Sequence, residues 1–355
     1  MANVAGQAAA PRRIWLTTVD RFILRVGFGT ALGFAMALVL DWKFEFLTPL
    51  IAANLLVAMP AIPSFKQGII FPLGAIVFSN AALGAAYLFA GAPHVLFIVT
   101  GLVLCLAFYS QHRGAPAILM LLGQICFAVI AVFAMTSLEL AREFADFFQK
   151  NTIAASATVW ISHALIPAPP PPPRPKGAAG PGGLPPAHAA RIALCDTAII
   201  MPLVGNFMLG GDTDKSVFLT STLIVLGQID PKGQMRTAYE RFFGQATGGV
   251  MAVVAQQFIF LADNLAHFLL TVFLGGMWFA RRMVRAGPAA GFYLQALSAF
   301  ILVLGLALEQ GGSELYYGTR IVKLVACILY TFIGLSLLHK LRQAPGPAKG
   351  LPARS

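Results

Sequence analysis

Asp196 is the side chain with the most chemistry to offer. It follows Arg191, Ile192, Ala193, Leu194 and Cys195 inside an apolar run, where an ionisable group is costly and reads by default as functional. A carboxyl in such surroundings suits a group that takes up and releases protons. The plainer reading is that Asp196 lies about a turn and a half from the membrane interface, where it complements the positive end of the helix dipole. Arg320 and Lys323 stand at i and i+3 on the opening turn of the last apolar run. Sharing one helical face, they can hold a carboxylate between them, although snorkelling to the interface explains them equally. Arg241 precedes Gly244, Gly248 and Gly249, and is either an anion-attracting entrance or a basic anchor beside glycines that let helices approach.

Asn54, Asn206 and Gln228, with Asn80, Gln124, Gln256 and Gln295, are neutral polar groups at membrane depth. Those that face a cavity would line it for substrate; the rest bond across helices, at about 0.6 kcal/mol each. His163 reads as packed or interfacial in preference to a proton relay, and His94 and His267 fall near loops. No Gly-rich phosphate loop with its Lys, no Gly-x-Ser-x-Gly and no His-Glu-x-x-His occurs, so neither a soluble enzyme nor an internal ATP site is expected. Cys105, Cys126, Cys195 and Cys327 lie in apolar segments without paired spacing, which implies no disulfide, no metal and no cofactor.

Positioning these residues falls to helices in a bilayer. The chain is 355 residues long, 58% hydrophobic and only 11% charged, with a mean hydropathy of +0.76. Its charges cluster between apolar runs of about twenty residues, the length that crosses the hydrocarbon. The net charge of +11 is scattered over short loops and forms no nucleic-acid stripe. No small-residue cleavage site follows a short apolar core near the start, so the first run is read as retained.

The runs predict helices at 26–40, 46–62, 68–90, 94–110, 115–137 and 150–167, and again at 191–210, 216–230, 242–262, 264–281, 288–308 and 318–339. Between the sets lies Pro167 to Ala190, with prolines from Pro169 to Pro173 and Gly/Pro-rich text beyond, a stretch that cannot pack and acts as a tether. The expected organisation is therefore a segment 1–25, a first membrane unit 26–167, a linker 168–190, a second unit 191–339 and a tail 340–355. The fold class is all-α, a polytopic membrane protein of twelve transmembrane helices in two six-helix repeats.

Loop charge tests the count, because cytoplasmic loops collect Lys and Arg. With the N-terminus inside, the inner loops carry Arg12, Arg13, Arg21, Arg25, Lys66, Arg113, Arg174, Lys176, Lys232, Arg236, Arg281, Arg282, Arg285, Lys340 and Arg342. The outer side receives Asp41, Glu45, Glu139, Glu143, Asp146, Asp212, Asp214, Asp263, Glu309 and Glu314. Both termini and the linker are then cytoplasmic. The halves share a layout: a basic residue (Arg25, Arg191), a helix, a turn (Asp41, Asp212), a helix with Leu-Thr (Leu47-Thr48, Leu219-Thr220), a Pro (Pro60, Pro231), a basic loop and a third helix. Even-numbered units repeat in parallel about an axis along the membrane normal.

The stretch from Ser216 to Val250 contains Phe218-Leu219-Thr220, Ile224-Val225-Leu226 and Ala238-Tyr239-Glu240-Arg241-Phe242-Phe243-Gly244-Gln245-Ala246-Thr247-Gly248-Gly249. It resembles the fusaric acid resistance or aromatic acid exporter family (FUSC), whose half-repeat carries a Thr-containing apolar helix, a loop and an Arg ahead of a Gly-x-x-x-Gly segment. Arg241, Gly244 and Gly248 match that pattern; Lys66 or Gln67, with Gly68 and Gly74, match it loosely in the first half, and Arg320 opens the last helix as an Arg does in the family. The resemblance implies export of anionic, aromatic carboxylic acid-like molecules across a bacterial inner membrane, driven by protons. It also implies a periplasmic membrane fusion protein and an outer-membrane channel as partners; glycine-rich helix faces leave a homo-oligomer open. A passive anion channel is the alternative within transport. From other classes, a membrane scaffold or an enzyme acting on a lipid-linked substrate remain.

Overall fold

The computed structural model describes residues 17–42, 44–167, 184–210, 231–259, 261, 264–310, 330, 333 and 334. These residues form α1 (Thr18–Val39), α2 (Leu47–Ala58), α3 (Phe65–Phe89), α4 (Pro93–His112), α5 (Ala117–Thr136), α6 (Leu138–Leu165), α7 (Pro186–Gly210), α8 (Pro231–Ile259), α9 (Leu265–Ala286) and, after a 3-10 turn, α10 (Ala290–Gln310). No strand occurs among the described residues. Within them, six helical stretches are long and apolar enough to cross a bilayer: Thr18–Val39, Gly68–Phe89, Pro93–His112, Ala117–Thr136, Pro186–Leu209 and Leu265–Gly305, the last joining α9 and α10. The chain is a membrane-embedded helical protein. The expected helices at 216–230 and 318–339 lie outside the described residues, apart from three positions in the latter.

Helix ends depart from the apolar runs where capping chemistry overrides hydropathy. α1 starts at Thr18, well before residue 26, because Thr17 and Asp20 cap each other. The Asp20 N–H donates to Thr17 Oγ1 at 3.1 Å and the Thr17 N–H to Asp20 Oδ2 at 3.1 Å, satisfying two amides that the first turn would otherwise leave open. Arg21 and Arg25 thus belong to α1. α6 likewise begins at Leu138, with Ser137 Oγ accepting from the Leu140 N–H at 2.9 Å, so Glu139, Glu143 and Asp146 ride on its first turns instead of in a loop. α8 opens at Pro231, a residue whose missing N–H costs nothing at a first helical position, and Lys232 and Arg236 join the helix. α2 is the short one. Its 12 residues span about 18 Å, less than the roughly 30 Å of hydrocarbon; Pro60 bars the residue before it from helical geometry.

On α4, Ile98, Leu102 and Leu106 recur every fourth residue at 66%, 60% and 56% exposure, an apolar stripe suited to hydrocarbon. Inside, one apolar cluster joins α3, α4, α5, α6 and α7 around Leu104, Phe108, Ile130, Phe133, Ile200 and Val204. A second joins α1, α2, α8, α9 and α10 around Phe34, Leu56, Phe279, Leu297 and Phe300. α7 therefore packs on α4 and α5, while α9 packs on α1, so each half lends helices to the other's surroundings.

Small residues permit the closest crossings. A Cβ on Gly27 of α1 would stand 2.8 Å from the Phe273 carbonyl of α9. On α8, a Cβ at Gly244 would meet the Phe292 carbonyl at 2.7 Å, and one at Gly248 would overlap the Ala296 carbonyl of α10. Lipid tails are as apolar as side chains, so this backbone-to-backbone approach, which maximises van der Waals contact, is what holds such helices together.

Candidate functional site

Asp196 lies ten residues into α7, about 15 Å along its axis, and is fully buried. This is deeper than the expected turn and a half, because α7 begins at Pro186 and not at 191. Its partner is His112, the last residue of α4. His112 Nε2 and Asp196 Oδ2 are 2.9 Å apart, and both side chains are at 0% exposure.

Local chemistry explains the placement of His112. Gly114, at φ 97°, turns the chain away after α4, a left-handed conformation that glycine alone adopts without strain. The segment leading into α7 is then tied to that end: the Leu184 N–H donates to the His112 carbonyl at 2.9 Å, and Arg113 Nη1 donates to the Leu184 carbonyl at 2.8 Å. α7 rises antiparallel beside α4 from this anchor and carries Asp196 to the imidazole.

Two glutamines extend the polar interior. Gln124 Nε2 of α5 donates to Gln111 Oε1 of α4 at 3.1 Å, with both side chains buried. His112 Nδ1 and Gln124 Oε1 are buried without a hydrogen-bond partner among the described residues. Buried polar atoms are nearly always satisfied, by protein groups or by ordered water. An isolated carboxylate here would be costly; paired with imidazole it can sit as an ion pair or as a neutral acid and base, with one proton passed along the 2.9 Å contact. Among the described residues no three His, Cys, Asp or Glu side chains converge as metal ligands.

The other residues singled out from the sequence do not gather around Asp196. Asn54 is half-buried on α2 and donates through Nδ2 to the Leu50 carbonyl at 2.8 Å and to Ser298 Oγ of α10 at 3.2 Å, a helix-to-helix tie. Asn206 sits on α7, a further ten residues beyond Asp196, and is exposed. Arg241 lies on α8 by its backbone; its side chain, together with Gln228, Arg320 and Lys323, falls outside the described part. Of the three glycines behind Arg241, Gly244 and Gly248 face α10, whereas Gly249 faces open space.

Several polar contacts had no sequence signal. Thr48 Oγ1 donates to Asn151 Oδ1 at 2.5 Å between α2 and α6, and Gln149 Nε2 donates to Ser79 Oγ at 2.8 Å between α6 and α3. His112 was hidden by its setting, next to Arg113 at the end of an apolar run, where it reads as loop. A histidine flanked by Gln111 in the final turn was the only available hint.

Residues 22–165 match the model of a family described as "Protein of unknown function (DUF2955)". The match takes in α1 to α6, including His112, and stops before α7 and Asp196. No curated protein matches the chain, and no solved structure does.

Proposed function

We propose that this protein is a proton-coupled transporter of small organic anions, aromatic carboxylic acids foremost, in a bacterial inner membrane. The observation that carries the reading is the fully buried His112–Asp196 pair at the crossing of α4 and α7. A titratable pair fully buried between membrane helices is expensive and has no packing role that apolar residues would not fill better. Proton exchange is the use that justifies it. The FUSC-like residues Arg241, Gly244 and Gly248 supply the substrate class.

Helix packing supports a parallel repeat. α1, the first helix of one half, packs on α9, the fourth of the other, and α4 packs reciprocally on α7, as two copies about an axis along the membrane normal would. The family match to residues 22–165 ends with the last helix of the first half. Arg21 Nη1 reaches the Pro167 carbonyl at 3.4 Å and Arg113 reaches Leu184, which gathers the start of α1 and α7 with the end of α4 and α6 at one face. The basic loops make that face cytoplasmic, along with both termini and the linker. A periplasmic membrane fusion protein and an outer-membrane channel are the partners this reading assigns.

The test is uptake of labelled benzoate by proteoliposomes. Benzoate should accumulate when a pH gradient is imposed, and a protonophore should abolish the accumulation. Equilibration that ignores the gradient would replace the pump with a passive channel, and no benzoate movement at all would remove the transport reading.

A further inference from the structure

Arg25 is the most anomalous side chain outside the His112–Asp196 site. It sits two turns into α1 at 3% exposure, and its Nε and Nη1 are buried with no hydrogen-bond partner among the described residues. No carboxylate pairs with it among the described residues. A guanidinium cannot shed its charge and offers five N–H donors in a fixed fork. Left unmatched in an interior, it is among the costliest groups a fold can keep.

The surroundings converge on the same spot. His163 of α6 is at 1% exposure, close enough for the Arg25 charge to bear on its ring. Its Nδ1–H donates to the Val159 carbonyl at 2.9 Å, while Nε2 is buried without a partner. The Met59 and Pro60 carbonyls, where α2 ends, lie beside the ring. One turn below Arg25, Arg21 reaches the Pro167 carbonyl at 3.4 Å. One turn above, Gly29 is packed directly against Leu56 of α2, and a Cβ there would stand 3.1 Å from Ser162 Oγ of α6, which fixes how closely the three helices meet. Residues 21, 25 and 29 share one face of α1, so two arginines step inward along a seam between α1, α2 and α6, and the inner one is unmatched.

We propose that Arg25, flanked by His163, is the seat for the carboxylate of a small organic acid. The guanidinium fork matches a carboxylate in two parallel hydrogen bonds, which would neutralise the charge and satisfy the open donors together. His163 Nε2, an acceptor while Nδ1 carries the only ring proton, can donate to the carboxylate once a second proton is bound. Arg21 draws the anion to the mouth of the seam. This inference rests on the transport reading and names the site where its substrate sits; His112–Asp196, on α4 and α7, is a separate pair.

The experiment is direct binding of labelled benzoate to the full-length protein in lipid nanodiscs, with unlabelled benzoate, benzamide and chloride as competitors. Wild type should bind saturably, with displacement by benzoate and not by benzamide, which has the ring but no charge. Arg25→Gln should weaken binding by about tenfold or more, the loss of a charge-assisted pair. Arg25→Lys, which keeps the cation and loses the fork, should fall between. Both are read only on protein that elutes as one species with a wild-type melting profile. If Arg25→Gln does not fold, Arg25→Lys and His163→Gln carry the result. Unchanged benzoate affinity in the folded variants overturns the site while leaving transport intact. Displacement by chloride as readily as by benzoate overturns the carboxylate assignment. Absence of saturable binding by wild type, together with absence of proteoliposome uptake, overturns the transport reading and this site with it.

Discussion

Replacing Asp196 with Asn separates proton exchange from structure. Asn is nearly the same size and its Oδ1 can still accept from His112 Nε2, so the 2.9 Å contact survives as a neutral hydrogen bond. A hydrogen bond to a charged group contributes about 1.5–3 kcal/mol and a neutral one about 0.5–1.5, which puts the stability loss near 1 kcal/mol. Asp196→Leu is harsher. It leaves a fully buried imidazole with no partner, at about 1–3 kcal/mol for the stranded group and about 3–5 if the ring stays charged. Denaturant titration in detergent measures both, and the order should be wild type, Asp196→Asn, Asp196→Leu. Because either single change already breaks the pair, His112→Gln combined with Asp196→Asn should cost less than the two singles added together. In proteoliposomes, Asp196→Asn should keep downhill benzoate exchange and lose accumulation driven by a pH gradient. Undiminished gradient-driven accumulation by Asp196→Asn would refute the assignment of proton exchange to this pair.

Other expectations follow from packing. Gly248→Val should open the α8–α10 crossing, because its side chain overlaps the Ala296 carbonyl; overpacking of this kind costs about 1–3 kcal/mol, read as a lower melting temperature. Gly249→Val, one residue on and facing open space, should stay within about 0.5 kcal/mol of wild type, so equal damage from the two would argue against the crossing. Thr48→Val should leave Asn151 Oδ1 without its buried donor and destabilise by about 1–3 kcal/mol. Asn54→Leu should cost only about 0.6 kcal/mol and leave benzoate affinity unaltered, since its amide is engaged by Leu50 and Ser298; a large affinity change would return Asn54 to the substrate path.

Much of the helical layout was legible from the apolar runs. The expected helices at 68–90, 94–110 and 115–137 fall within two or three residues of α3, α4 and α5, because a bilayer demands continuous apolar length and Pro93 and Pro116 interrupt it. α1, α6 and α8 were cut short by the same logic. Hydropathy stops at the first charge, whereas a helix stops only where its backbone loses partners; Thr17 and Ser137 set those points by local capping, and α8 opens at Pro231. α2 ends at Ala58, short of the expected 62, since Pro60 is invisible to an apolar count.

The site divides along the same line. Sequence alone determined that Asp196 was a problem to be solved, because the cost of an acid among apolar neighbours is a local property. It determined equally that Arg25 carries a charge, yet a charge at the edge of an apolar run looks like any interfacial anchor. What only the tertiary structure decided is who stands opposite. His112 lies 84 residues from Asp196, and it reaches that carboxylate because α7 packs on α4. Arg25 is buried because α1 starts at Thr18 and lays that face against α2 and α6. Pairing across helices depends on which faces meet, and in a bilayer that choice is made by small residues and shape, over distances no sequence window contains.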